Sequence, residues 1–84
     1  MAFHVYILQS LSTGKKYIGH TGDIKRRLLE HNDPKLGNLR YTRKQKGPWK
    51  LIFSEAAQTK ADAMKRERFL KSGKGREWIK SNVL

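Results

Sequence analysis

Residues 3–19 read FHVYILQSLSTGKKYIG: an apolar run, a Ser/Thr/Gly turn and a second apolar run. Two such runs around turn residues make a β-hairpin. With the pairing centred on Leu11 and Ser12, Tyr6 stands directly opposite Tyr17, and opposed residues project from the same sheet face. Gly14 also permits a longer loop with a bulge, and a slip of one residue would part the two phenols. Taken alone, the pair reads as packing. Chemistry requires further groups for the phenols to face.

Outward from the hairpin, Thr21 or Asp23 caps a helix in which Ile24, Leu28 and His31 recur at helical spacing. Asn32-Asp33-Pro34 ends it, because proline disfavours helix in the residue before it. On the wheel His31 joins the buried stripe and Arg27 lies beside it, whereas Arg26 and Glu30 point to solvent. Residues 35–50, KLGNLRYTRKQKGPWK, hold six basic residues, two Gly, one Pro and no acid, which reads as a cationic loop. WKLIFS (49–54) alternates Trp49, Leu51 and Phe53 against Lys50, Ile52 and Ser54 and reads as a third strand. Thr59 and Asp62 resemble a capping box opening a helix to about Lys71, with Ala63, Met64 and Leu70 as its apolar arc. Ser72-Gly73 stops that helix, and GREWIK supports a last one anchored by Trp78 and Ile79. The order is β-β-α-β-α-α: an α+β fold with a small three-stranded antiparallel sheet flanked by helices.

Eighty-four residues make one domain, 1–84, with no room for a second core. Nineteen Lys and Arg against seven acids give a net charge of +12, the footprint of a polyanionic partner. DNA, or RNA, is the partner this favours over an anionic membrane. There is no Cys, hence no disulfide and no thiolate metal site. No apolar run nears the roughly 20 residues of a membrane span, and the N-terminus lacks an apolar signal region. The expectation is a soluble, cytoplasmic protein.

Of the seven acids, Asp23 and Asp62 read as helix-start residues, Asp33 as a turn residue and Glu30 as solvent-facing. Glu67 differs, falling inside the apolar arc of its helix. A buried carboxylate is costly without a cation or hydrogen bonds to meet it. A divalent metal or a basic residue such as Arg27 would serve, the second being a structural brace between helices. Arg27 also suits the charge of a phosphate. His20 and His31 are the remaining proton carriers, although a histidine near an apolar face usually serves packing. A phenol, with pKa near 10, needs help to act as a base. Lys16, Arg40, Arg43, Lys44 and Lys46 are candidate phosphate contacts, with Tyr41 as a stacking surface.

VYIL at 5–8, KYIG at 16–19, the Arg26-Arg27 pair and a helix bearing Glu67 together resemble the GIY-YIG nuclease family. The chain keeps Tyr17-Ile18-Gly19 but has His4-Val5-Tyr6 where the family name says Gly-Ile-Tyr. YTRKQKGPWKLIFSE and RERFLKSGKGREWIK look like very short, single-domain bacterial members, and the nuclease domain of UvrC-type proteins is similar. The resemblance implies a metal-dependent endonuclease acting on DNA in repair or recombination. Tyr6 and Tyr17 match the paired tyrosines, Arg27 the helix arginine, Glu67 the metal ligand for one Mg²⁺ or Mn²⁺, and Gly19 the glycine that lets the chain pass close. His20 stands where relatives often have Lys, His31 matches a histidine of restriction-type members, and Asn82 is a late counterpart for a family Asn. Substrate choice would then depend on DNA shape, on the 35–50 loop or on a protein partner that supplies targeting. The alternative is a non-catalytic nucleic-acid-binding module on the same fold.

Overall fold

The computed structural model describes residues 2–32, apart from the His31 side chain, and 48–83. Strand β1 (Phe3–Ser10) is central, flanked by β2 (Lys16–Thr21) and β3 (Trp49–Ala57), both antiparallel to it. Its middle, Val5 to Leu8, is buried on both faces, which explains why four successive residues there are apolar or aromatic. The expected α+β architecture is the one observed.

The hairpin register differs from a pairing centred on Leu11 and Ser12. Tyr6 lies opposite Gly19, and Tyr17 lies opposite Leu8. The cause is the loop Leu11–Lys15, in which Gly14 takes φ 77°, a left-handed conformation natural to glycine. Ser10 organises that loop: its Oγ accepts from Thr13 N at 3.1 Å and its carbonyl from Gly14 N at 3.0 Å. The displacement is two residues, an even number, so the two tyrosines keep a common face as diagonal neighbours.

β3 does not keep the alternation read from WKLIFS. Ile7 faces Phe53 while Leu8 faces Leu51, so Ile52 is the extra residue of a β-bulge. The bulge reverses the facing of the strand. Trp49 and Leu51 join Tyr6 and Leu8 on one side, whereas Phe53 and Ala57 join Val5 and Ile7 on the other. One sheet thereby serves two apolar clusters.

The Tyr6 side is covered by α1 (Ile24–Asn32) through Ile24 and Leu28. Asp23 Oδ1 caps it by accepting from Arg26 N at 3.1 Å, and Thr21 Oγ1 accepts from Asp23 N, so both cap candidates are used. At its far end the Asn32 side chain accepts from Trp49 N and donates to Trp49 O, which fastens the helix to the start of β3.

The Val5 side is covered by α2 (Lys60–Lys71) and α3 (Gly73–Asn82). Thr59 Oγ1 caps α2 by accepting from Asp62 N. Ala63 and Leu70 are buried as expected, but Met64 is 43% exposed and leaves the apolar arc to Phe69. Ser72 closes one helix and opens the next, donating to Phe69 O and accepting from Gly75 N. Gly75 lets α3 cross the end of α2: a Cβ there would run into Phe69 O and come within 2.6 Å of Leu70 Cα. The Arg66 guanidinium lies 4.6 Å over the Trp78 ring and bonds Glu55, closing that cluster.

Candidate active site

Tyr6 is buried in mid-β1, and its ring lies 6.2 Å from that of Tyr17 at 36°. The phenol passes directly over Gly19. A Cβ on Gly19 would stand 2.8 Å from the Tyr6 hydroxyl and 3.1 Å from the Tyr17 ring. The glycine therefore makes the space that the Tyr6 hydroxyl occupies.

Arg27 reaches the same side from α1, with 34% of its side chain exposed. It pairs with Glu30 at 3.5 Å, and Arg26 pairs with the other oxygen of Glu30 at 3.2 Å. Glu30 is not the solvent-facing acid expected from the wheel: it is 21% exposed and held between two arginines. The i,i+3 and i,i+4 spacing of these residues carries the signal.

Glu67 arrives from the other side of the sheet. His20, opposite Val5 in the ladder, points to that face. Its Nδ1 is 2.8 Å from Glu67 Oε1, while Lys71 Nζ donates to Oε2 at 3.1 Å. Glu67 is thus met by His20 and Lys71, which take the place of the basic partner for which Arg27 was one candidate. Burial drives the Glu67 carboxyl up, but the hydrogen bonds from His20 and Lys71 outweigh it and hold the group below its ordinary range. An ionised Oε1 needs a donor, so His20 carries its proton on Nδ1.

The two sides meet along β2, with Gly19 beneath the Tyr6 phenol and its neighbour His20 on Glu67. Burial, then Tyr17, raise the Tyr6 hydroxyl well above its usual pKa of 10.0; Arg27 opposes this, and Glu67 and Glu30 add to it. The structure packs Tyr6, Tyr17 and Gly19 together and bonds His20 to Glu67, while Arg27 on α1 pairs with Glu30. Lys16 lies apart at the start of β2, opposite Gln9. Asn82 donates to Trp78 O in its own helix. Arg40, Tyr41, Arg43, Lys44 and Lys46 lie outside the described residues, as does the His31 side chain.

Among the described residues no three His, Cys, Asp or Glu gather as a metal cage. Mg²⁺ does not require one, since it keeps several waters and binds through one or two carboxylates plus substrate phosphates. The ionised, part-buried Glu67 carboxylate fits that requirement.

Residues 2–80 match the model of the GIY-YIG catalytic domain, and the chain belongs to that nuclease family. It is 43% identical over 68 residues to the UPF0213 protein SAG0778 of Streptococcus agalactiae, covering 81% of this chain and 73% of that one. The UPF0213 protein YazA of Bacillus subtilis is 35% identical over 68 residues, covering 81% and 66%. The solution NMR structure of the UPF0213 protein BH0048 from Bacillus halodurans superposes with a TM-score of 0.55 at 35% identity, over 96% of this chain and 84% of that one.

Proposed function

We propose that this protein is a divalent-metal-dependent endonuclease that hydrolyses DNA phosphodiester bonds, acting in repair or recombination. The observation that carries the reading is the packing of the Tyr6 phenol and the Tyr17 ring over Gly19, whose neighbour His20 bonds Glu67. Glu67 would hold the cation, which when bound supplies Lewis-acid charge to the scissile phosphate. Arg27, already part-exposed and only loosely held by Glu30, is placed to clamp a phosphate as negative charge grows on it. Tyr6 stays protonated because its pKa is raised, so its O–H donates and orients. Accepting the proton of the attacking water then falls to Tyr17, or to Nε2 of His20, which is the acceptor once Nδ1 bonds Glu67.

A second reading, a binding module that does not cleave, draws on one feature: both oxygens of Glu67 already have partners. One experiment separates the two. Single-stranded, duplex, nicked and branched DNA are incubated with the wild type and with Glu67→Ala in Mg²⁺ or Mn²⁺. The nuclease reading expects metal-dependent product from the wild type alone. Equal cutting by both proteins removes Glu67 from the chemistry, and salt-sensitive binding with no product under any condition favours the binding module.

A further inference from the structure

Along the β2 edge of the sheet, an open groove of about 550 Å³ runs between β2 and the junction of α2 with α3. Five cations line it: Lys15 and Lys16 from the hairpin, Lys71 from the end of α2, and Arg76 and Lys80 one turn apart on α3. Among the described residues no carboxylate lines it. The half-buried Tyr17 and Ile18 form its apolar wall, over the buried Leu70 and Ile79. A merely solvated basic surface has no need of an apolar concavity beneath it. Lys71 also donates to Glu67, so the groove ends beside the carboxylate of the candidate site.

The two features together select the occupant. Five cations without an acid call for a polyanion. A duplex presents phosphates and base edges but keeps its base faces stacked, so it has no base face to lay on an apolar wall. An unpaired strand offers both phosphates and exposed base faces, and single-strand sites combine a basic groove with apolar or aromatic platforms. We propose that this groove binds an unpaired DNA strand, its phosphates on the cations and its base faces against the half-buried Tyr17 and Ile18. The strand leaves the groove past Lys71 toward Glu67. That last step rests on the nuclease reading; the binding does not.

The test is fluorescence anisotropy in EDTA, with a short labelled oligonucleotide presented single-stranded or as a blunt duplex, over a series of salt concentrations. Arg76→Gln/Lys80→Gln removes two exposed charges that line the groove. Each phosphate contact to a single strand contributes about 0.7 to the slope of log K against log salt. The pair should therefore lower the slope by about 1.4 and weaken single-strand binding about 25-fold at about 0.1 M salt. Lys60→Gln/Lys65→Gln makes the same charge change on exposed positions away from the groove and should leave both quantities near wild type. Equal losses in the two double variants, an unchanged groove variant, or wild-type binding to duplex as tight as to single strand would each overturn the proposal. Metal-dependent cleavage with an unchanged groove variant sinks the groove and spares the nuclease. Groove-mapped binding without any cleavage supports the groove and sinks the nuclease.

Discussion

Replacing Gly19 by Ala tests the packing on which the site depends, and the sign of the effect decides the matter. Gly19 does not adopt positive φ, so alanine carries no backbone strain there. In open space the substitution would stabilise by about 0.4–1 kcal/mol, through lost freedom of the unfolded chain. The space is not open. The new Cβ would meet the Tyr6 hydroxyl at 2.8 Å, its Cζ at 3.0 Å and the Tyr17 ring at 3.1 Å. Tyr6 is 3% exposed and flanked by Tyr17, so the phenol has little room to retreat. Overpacking of this kind costs about 1–3 kcal/mol. In a domain of this size each kcal/mol lowers Tm by roughly 4–8 °C. Urea and thermal unfolding of wild type, Gly19→Ala, Tyr6→Phe and the double variant complete a cycle. Removing the hydroxyl relieves the shortest contact but leaves Cζ, so partial rescue is expected, with a coupling of at least about 0.5 kcal/mol. A more stable Gly19→Ala, or strictly additive effects, would refute the close passage of Tyr6 over Gly19.

Gly75→Ala should destabilise by about 3 kcal/mol or block folding, because its Cβ meets backbone that cannot yield, whereas Gly73→Ala has open space and should be near neutral in the same urea titration. In an alkaline titration followed at the phenolate absorbance, a step well above pH 10 should vanish in Tyr6→Phe. Because the folded pKa of Tyr6 is raised, the stability it carries is complete below pH 10 and is lost as pH rises through the folded value. Glu67 has the opposite sign: its folded pKa is lowered, so its contribution is present above its ordinary 4.5 and lost as pH falls through the folded value. Urea midpoints at neutral and acid pH should therefore converge more in Glu67→Gln than in the wild type.

The hairpin, the caps and the order of elements were legible because each rests on local chemistry. Asp23 and Thr59 cap from within their own turns, and Ser72-Gly73 breaks one helix from the next. The register was not legible. Whether Gly14 closes a tight or a longer loop is a balance of a few residues that the pattern alone leaves even. The bulge at Ile52 was hidden because a run of apolar residues has no alternation to interrupt. Glu67 stood out as a charge inside an apolar arc, yet its partner His20 lies 47 residues away and no spacing rule joins them. Arg27–Glu30 obeys i,i+3 spacing, but a helical wheel that turns Glu30 outward hides the pair. The opposed origins of Tyr6 and Glu67, one from each face, follow only from the assembled sheet.

The central claim is that Tyr6, Arg27 and Glu67 act as one unit. It is tested most directly by single-turnover cleavage of DNA in Mg²⁺ by Arg27→Ala, Glu67→Ala and their double variant, each shown to be folded by circular dichroism. Groups that act together are far from additive in their loss. The account predicts that either single change drops metal-dependent cleavage to the background and that the double variant falls no further. Metal-dependent product from folded Glu67→Ala at the wild-type rate would contradict it.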